Sequence, residues 1–593
     1  MRRSLKRTHL RRWAPPFVTA AYCSYASFLR TRPPCIWALL NGLRQPDTLR
    51  AFTVAAGVVI AALTAVAPVW GHQQAEPRFH TAPALNPGQR AVADALERWD
   101  LPAASEALAA LPEPRRPLDR FLEAQVAFRG GDYGGAVRLL EALPPELRAG
   151  AEVGAFARLA GATLALESRL EARASEHFVV RFDAGRDWVL AEPALAALEA
   201  GYAALGDWLG ERPRERVRVE IVPTAEDFER VSGLRPQEIE TAGAVAICNY
   251  NKIMLLSPRL LLRGYPWRDT LNHEYAHYLL VRLSANRAPI WLQEGIARAG
   301  EARWRDPAED RLDDVDRSLL ARALREETLI PLAAMDPSLV RLPSMGAVRL
   351  AFAECTLAAE HLLGGWGGGG LGRLLAALAA GGEDAAGDAA LRAALGVSLA
   401  QFEEGWRRLI GQRRYAEVAG LAVPPLRLAG AGGAEEWDLG AWQPLSAQNH
   451  LRLGDKLRLR GSTRAALAEY ERARQVAPAS PFAHVKVARA LLELGRAPEA
   501  AAAAREALRF GRAYPAAHTA LAASLAALGD GPGQAASLRA ALEINPFDPF
   551  AWRDLAQALR RLGDAEGAQR AAVAALRLGP GDERFQQSVV GGP

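Results

Sequence analysis

Two histidines four residues apart form the most informative chemical pattern in this sequence. The stretch HEYAH places His273 and His277 on either side of Glu274. On a helix, residues four apart lie on one face about one turn apart, so both imidazoles can reach the same metal ion. Zn²⁺ binds such nitrogens at about 2.0–2.1 Å and is usually held by four ligands. The spacing therefore predicts a zinc site on a helix.

Glu274 has a different predicted role from the two histidines beside it. Its side chain points about 100° away from that of His273 around the helix, so it is poorly placed to be a third ligand. It can reach a water molecule held by the metal, which lowers the pKa of that water toward about 7. A carboxylate there takes the proton of the water and passes it to the leaving amine. We therefore predict that Glu274 is the general base of a peptide-bond hydrolase.

A third protein ligand has to come from another part of the chain. Glu294, in the stretch PIWLQEGIA, lies 17 residues after His277, and the intervening SANRAP predicts a turn between two helices. Apolar neighbours anchor the second helix, and Gly295 allows another helix to approach closely. We predict that Glu294 is the third ligand. Glu301, seven residues further along, is the alternative.

Simpler interpretations of these residues stay open at this point. The two histidines of HEYAH could be core residues of an amphipathic helix, or the site could hold zinc without catalysing a reaction. Two other histidines, His177 and His361, are predicted to be structural or surface groups. Cys248 and Cys355 are predicted to be small buried hydrophobic side chains.

The segments that must position these residues change from strand patterns to helix patterns along the chain. Alternating or apolar runs predict strands at 177–183, 217–222, 244–248 and 253–256. The last two of these strands flank NYNK and are predicted to form a hairpin. Helices are predicted over 268–283, which carries HEYAH, and over 290–302, which carries WLQEG. A strand-rich half followed by a helix pair predicts an α+β domain over residues 173–411.

HEYAHYLL followed by PIWLQEGIA resembles the gluzincin branch of zinc peptidases, and most of all the bacterial peptidase-MA-like domains, whose pattern is HExxH…PxWLxEGxA. The likeness extends over about residues 175–410. It implies a gluzincin-like α+β metallopeptidase domain that hydrolyses a peptide or protein substrate. It also implies that His273, His277 and Glu294 bind Zn²⁺ and that Glu274 is the general base.

One position departs from the pattern of that family. Its members often have a tyrosine, in a stretch like AYAxS, on the helix after the site, whereas this chain has AFAEC with Phe352 at that place. If that tyrosine stabilises the oxyanion, its hydroxyl is missing here, and losing one such donor typically costs about 10²–10³ in rate. The sequence does not choose among the candidate substitutes, which are Tyr250, Tyr278, Arg298 and His361.

A strict 34-residue period fills the C-terminal part of the chain. Glycines recur at 461, 495, 529 and 563, and alanines at 473, 507, 541 and 575. A helix–turn–helix unit of this length is the tetratricopeptide signature, so residues 446–585 resemble four such repeats. The concave surface of a repeat array usually binds a partner protein, and the alternative is a spacer or a stabilising cap. A single similar unit is predicted within 127–146.

The N-terminal part carries a segment long enough to cross a membrane. Residues 51–70 are uncharged and follow an Arg-rich leader. By the positive-inside tendency, the chain from about residue 72 onward is then exported to the bacterial periplasm or cell surface. Two outcomes are open: the segment stays as a membrane anchor, or it is cleaved as a signal peptide and the protein is secreted.

Composition excludes several other classes of protein. The net charge is only +5, and no stripe of basic residues interleaves with aromatics, which argues against a nucleic-acid partner. The four cysteines form no CxxC pair, which argues against a disulfide or cysteine–zinc framework. The Gly-rich run at 364–370 predicts a turn between helices and lacks the residues of a phosphate-binding loop.

Together these patterns predict a metallopeptidase domain flanked by all-α tetratricopeptide-like repeats. The alternative is a non-catalytic interaction scaffold with a degenerate metallopeptidase-like domain. In chain order, we predict a leader with the anchor (1–71), a linker (72–89) and a helical region (90–172). The metallopeptidase-like domain (173–411) follows, and then a second linker (412–445), four repeats (446–585) and a tail (586–593).

Overall fold

The computed structural model describes most of the chain after the leader. All of these residues belong to one compact unit, Gly71–Pro593. They are residues 85–339, 342–381, 387–421, 423, 426–430, 434–441 and 443–585. The predicted anchor at 51–70 and the tail at 586–593 lie outside them. Within the described part of the chain, no helix is both long and apolar enough to cross a membrane.

In the described part of the chain, which begins at residue 85, six helices precede the sheet. They are α1 to α6, at Pro87–Glu97, Leu101–Ala109, Pro117–Gly130, Tyr133–Glu141, Pro145–Arg148 and Ala151–Glu167. The α3–α4 pair forms the helix–turn–helix predicted within 127–146. Gly131 ends α3 with φ +90°, and Asp132 caps α4 by accepting a hydrogen bond of 2.7 Å from the Gly135 N–H.

A five-stranded mixed sheet follows these helices. Its strands are β1 to β5, at Glu171–Ala174, Phe178–Phe182, Val217–Val222, Ala246–Asn249 and Lys252–Leu256. Their order is β1-β2-β3-β5-β4, with β3 parallel to both β2 and β5 and the two outer pairs antiparallel. The strands predicted from the sequence are present. The additional strand β1 reads EARA and is exposed throughout, and it has no β-branched or aromatic residue that would predict a strand.

Helices surround the sheet and continue beyond it. They are α7 to α15, at Trp188–Leu209, Ala225–Ser232, Pro236–Ala242, Trp267–Ser284, Ile290–Gly300, Asp314–Glu326, Met345–Ala380, Asp388–Leu395 and Leu399–Arg413. α13 consists of two helical parts that meet at a kink within the turn predicted at 364–370. Gly367, with φ +65°, is the residue that leaves the helical conformation there.

Two hydrophobic cores meet at helix α10. One core contains the sheet, α7 and the apolar face of α10, and the other contains α11, α13 and α15. Trp267 at the start of α10, Trp291 in α11 and Trp406 in α15 are almost fully buried. Because α10 and α11 are held from both sides, the side chains between them have little freedom to move apart.

Eight helices form four consecutive pairs in the C-terminal part. They follow α16, which lies at Ala434–Ala441 within the predicted second linker. The eight helices are α17 to α24, at Leu445–Leu459, Thr463–Val476, Pro481–Glu493, Ala497–Phe510, Pro515–Ala527, Gly531–Ile544, Pro549–Arg561 and Ala565–Leu578. The glycines spaced by 34 join the helices of each pair, with φ between +75° and +80°. Other residues resist this conformation, which accounts for the strict spacing of glycine. We call α17–α24 the repeat array.

The repeat array packs against the part of the chain that contains the sheet. The Tyr265 N–H donates to the Ile544 carbonyl at 3.1 Å. Gly264 has φ +76° and lies so close to Ile544 that a Cβ would overlap its carbonyl oxygen. Phe547 and Trp552 pack against the sheet core. The array is therefore docked through main-chain and apolar contacts, not only through surface charges.

A buried ion pair inside the sheet is contacted by the N-terminal helices. Lys252 Nζ on β5 lies 2.8 Å from Glu220 Oε2 on β3, and the two side chains are 1% and 2% exposed. The Tyr133 hydroxyl of α4 donates to the other Glu220 oxygen at 2.8 Å. Burial lowers the pKa of Lys252, and the neighbouring Glu220 opposes that shift. The two charges therefore compensate each other inside the protein.

We expect Lys252→Met to destabilise the protein by about 3–5 kcal/mol, because Glu220 stays buried without its cation. The double variant Lys252→Met/Glu220→Leu should recover most of that loss, since it removes both charges. The free energy of unfolding from urea titration measures both effects. A single variant no less stable than the double variant would show that the pair does not compensate its own burial.

Candidate metal centre

Three predicted ligand atoms converge between α10 and α11. The Nε2 atoms of His273 and His277 lie 3.1 Å apart, and Glu294 Oε2 lies 3.2 Å and 3.5 Å from them. In a tetrahedral zinc site with bonds of about 2.0–2.1 Å, two ligand atoms are separated by about 3.3 Å. Among the described residues, these three form the one group of His, Cys, Asp and Glu side chains arranged to hold a metal ion. Their geometry fits zinc.

The turn between the two helices brings the ligands together. Ala285 and Asn286 adopt left-handed conformations, with φ +53° and +58°, and reverse the chain after α10. Pro289 precedes α11, whose first N–H, that of Ile290, donates to Asp336 at 3.0 Å. Gly295 lies against the Cys355 carbonyl of α13, where a Cβ would overlap it. The close approach expected at Gly295 is therefore to α13, which supports the helix of Glu294 from behind.

The charges around this point favour a cation, although burial opposes charge there. Burial opposes the charge of His273, but hydrogen bonds to Glu294 and Glu301 outweigh it and raise its pKa to about 10. Burial also opposes the charge of Glu294, but His277 and His273 outweigh it and hold its pKa well below the usual range. Carboxylates thus outnumber the imidazoles around the centre, a donor set suited to a divalent ion.

Glu301 lies on the opposite side of the His273 ring from the other ligand atoms. Its Oε2 is 3.3 Å from His273 Nδ1, while Arg298 donates to its Oε1 at 2.8 Å. A carboxylate on the second ring nitrogen fixes the orientation of a metal-binding histidine. The structure thus places Glu301 as a partner of His273 and not beside the Nε2 of His277. Its position seven residues after Glu294, on the same helix face, is the sequence signal for this role.

Glu274 is buried beside the three converging side chains. Burial raises its pKa, and the charges of His277 and His273 oppose this shift. It accepts a hydrogen bond from the main-chain N–H of Cys248 on β4. Because β4 is the outer strand of the described sheet, this contact ties Glu274 to the sheet edge. Sequence reasoning missed this contact, because it depends on the order of the strands and not on residue type.

Phe352 lies next to the three candidate ligands, as its sequence position predicts. Its ring centroid is 6.4 Å from that of His273. The four candidate substitutes for a tyrosine at this place are engaged in other contacts. Among them, Arg298 is held by Glu301, and His361 packs on the rings of Phe402 and Trp366.

The two tyrosines among those candidates belong to the interface with the N-terminal helices. Tyr250 packs edge-on against Phe128 at a ring distance of 5.7 Å. Tyr278 packs against Trp99 at 5.5 Å, and its hydroxyl lies 3.3 Å from Glu215. The Tyr278 hydroxyl is thus engaged by Glu215, and the Tyr250 ring by Phe128.

His177, Cys248 and Cys355 lie in the kinds of environment that the sequence predicts. His177 Nδ1 lies 2.7 Å from Glu199, and its ring stacks on Tyr202 with centroids 3.7 Å apart. This is a structural environment, as predicted for His177. Cys248 and Cys355 are both buried free thiols, which confirms the prediction for them.

Comparison with known proteins finds a match for the segment that contains the metal centre. The Peptidase MA superfamily matches residues 197–412. This segment is about a third of the chain and includes α10, α11 and Phe352. No curated protein matches the chain.

Solved structures similar to part of this chain include two that are described as TPR proteins. MamA from Desulfovibrio magneticus RS-1 is 20% identical, with a TM-score of 0.24, over 25% of this chain and 83% of that one. The first TPR of Spaghetti (RPAP3), bound to an HSP90 peptide, is 21% identical, with a TM-score of 0.20, over 20% and 98%. YrrB, a TPR protein with an unusual peptide-binding site, is 20% identical, with a TM-score of 0.22, over 24% and 72%.

We expect the purified protein to bind one zinc ion per chain and to lose it in His273→Ala and in Glu294→Ala, because each variant removes one of three converging ligands. Metal analysis after dialysis against a weak chelator measures the zinc content. His177→Ala is the matched control, since that histidine also pairs with a carboxylate but lies outside the centre. Equal zinc in all four proteins would contradict the assignment.

Proposed function

We propose that this protein is a zinc metallopeptidase of the gluzincin type. The observation that carries the proposal is the triangle of two imidazole nitrogens and one carboxylate oxygen with Glu274 beside it. The match of this segment to the Peptidase MA superfamily supports it. His273, His277 and Glu294 would hold the ion. When bound, Zn²⁺ would lower the pKa of a water molecule and polarise the scissile carbonyl.

Glu274 performs the proton transfers in this proposal. Its carboxylate accepts a proton from the attacking water as the oxygen of that water bonds to the carbonyl carbon. It then gives the proton to the amide nitrogen as the C–N bond breaks, which releases an amine and a carboxylic acid. The Cys248 N–H holds the Glu274 carboxylate in place between these two transfers.

The substrate would bind as an extended peptide along β4. This strand is the outer one of the described sheet, and Cys248 connects it to Glu274. Adding a strand at a sheet edge fixes a peptide through main-chain hydrogen bonds, whatever its side chains. A peptide in that position has its main chain close to both the general base and the three ligands.

The repeat array would recruit a substrate or partner protein. Its four helix pairs follow one 34-residue period, and stacked units of this kind form extended binding surfaces. We also propose that the protein is exported, with residues 51–70 as a membrane anchor or as a cleaved signal. This part of the proposal rests on the sequence pattern.

A non-catalytic interaction scaffold is the second candidate function. Phe352 favours it, because the ring beside His273 has no hydroxyl where related domains often have a tyrosine. In that case the metal would stabilise the fold and the repeat array would carry the function. Variants of Glu274 and of Phe352 separate the two candidates.

We expect Glu274→Gln to abolish peptide hydrolysis and to leave zinc content and melting temperature unchanged. The amide keeps the shape of the side chain but cannot take a proton from water. Mass spectrometry of a peptide library incubated with each protein measures cleavage. Cleavage by the variant at the wild-type rate would rule out Glu274 as the base, and a wild type that binds zinc without cleaving any peptide would favour the scaffold.

We expect Phe352→Tyr to increase peptide hydrolysis about 10-fold or more, as part of the 10²–10³ that one oxyanion donor supplies. The new hydroxyl would lie beside His273, where the transition-state charge develops. Phe550→Tyr in the repeat array is the control, since that ring is exposed and belongs to another part of the chain. The ratio kcat/KM of the two variants measures the effect, and equal values would contradict it.

A further inference from the structure

Two arginines of the repeat array contact a loop that follows α11. We call residues 306–313, which read DPAEDRLD, the acidic loop. Arg512, just after α20, donates to the Asp310 carbonyl at 2.9 Å, and its guanidinium lies 3.4 Å from the Glu309 carboxylate. Arg509, in the last turn of α20, donates to Asp314 at 2.9 Å, immediately after the loop. The array thus contacts both a main-chain carbonyl and the carboxylate groups of this segment.

The same loop is held from the other side by Arg298 of α11. Its Nη2 donates to the Arg311 carbonyl at 3.1 Å. Arg298 and Arg512 therefore bind adjacent carbonyls, those of Arg311 and Asp310. The next residues of the loop are fixed by Arg349 of α13, which pairs with Asp313 and lies 2.7 Å from Asp316. The conformation of the acidic loop thus depends on three helices at once.

Arg298 connects this loop to the metal centre. Its other nitrogen, Nη1, donates to Glu301 at 2.8 Å, and Glu301 lies 3.3 Å from His273 Nδ1. One guanidinium group therefore spans the loop and the carboxylate that orients His273. If the loop moves, Arg298 loses the Arg311 carbonyl, and the position of Glu301 beside the imidazole is no longer fixed.

We propose that the docked repeat array is a positioning element for the metal centre. Arg509 and Arg512 fix the acidic loop, the loop fixes Arg298, and Arg298 holds Glu301 against His273. The inference rests on the proposed function in taking His273 as a zinc ligand. Its consequence is that a partner which moves the array away from the acidic loop weakens the centre.

The strength of the contacts sets the size of the expected effect. Removing a carboxylate partner of a metal-binding histidine typically costs about 10–100-fold in metal affinity. The arginines of the array act three contacts further out than Glu301, and their side chains are 55% and 48% exposed. Exposed ion pairs are weak, so the array should contribute a smaller factor than Glu301 itself.

The test uses the full chain with Arg509→Ala/Arg512→Ala. We expect zinc to bind about 3–10-fold more weakly, as measured by competition with a chromophoric chelator, and we expect a changed visible absorption spectrum for the Co²⁺-substituted protein. Arg505→Ala, on the same exposed helix, is the control and should match the wild type in both measurements. Arg509→Lys/Arg512→Lys should restore part of the affinity, because lysine can donate to the same oxygens.

A double-variant cycle with Glu301→Gln tests the route of the effect. If the arginines act through Glu301, then Arg509→Ala/Arg512→Ala has no further effect on zinc affinity in the Glu301→Gln background. An equal loss in both backgrounds overturns the inference. An unchanged affinity and cobalt spectrum in the arginine variant overturn it as well.

Failure of this inference can be separated from failure of the proposed function. A wild-type protein that binds zinc tightly, with arginine variants that behave like it, contradicts only the positioning role of the array. A wild-type protein that binds neither Zn²⁺ nor Co²⁺ contradicts both. Melting temperatures of all variants, expected to match the wild type, exclude loss of the fold as the cause of weaker binding.

Discussion

Two imidazole nitrogens and a carboxylate oxygen are held within 3.1–3.5 Å of one another in a buried place, and much of the structure depends on that convergence. Their lone pairs repel one another unless a proton or a metal ion lies between them, so the surroundings must hold them together. Two hydrophobic cores meet at α10, and α13 presses on α11 at Gly295. This packing makes the α10–α11 pair rigid enough to hold the three atoms together against their repulsion, which a flexible loop could not do.

The residues of the centre were predictable from the sequence because helical periodicity decides them. The spacing of His273 and His277 places both on one face of any helix, and a turn followed by Pro289 returns Glu294 toward them. The role of Glu301 and the Cys248 N–H were not predictable in the same way. Each depends on tertiary packing: the first on which nitrogen of His273 faces inward, the second on the outer position of β4.

The surrounding segments show the same division between local pattern and tertiary contact. The 34-residue period predicted the helix pairs, since each glycine must adopt φ near +75° to +80° at its turn. Nothing in that period predicted that the array would dock at Gly264 or contact the acidic loop. The Tyr133 hydroxyl of α4 joins the N-terminal helices to the sheet, because it donates to Glu220 of the buried Lys252–Glu220 pair. The segments that read as separate units in the sequence are thus connected by specific contacts to the part of the chain that carries the candidate metal centre.

The central claim is that these three side chains bind one zinc ion, and anomalous diffraction at the zinc absorption edge from crystals of the purified protein tests it most directly. The account predicts a single strong peak at about 2.0–2.1 Å from His273 Nε2, His277 Nε2 and a Glu294 oxygen, with Glu301 against His273 Nδ1. A peak coordinated by Glu301 in place of Glu294, or no peak between α10 and α11, would contradict it.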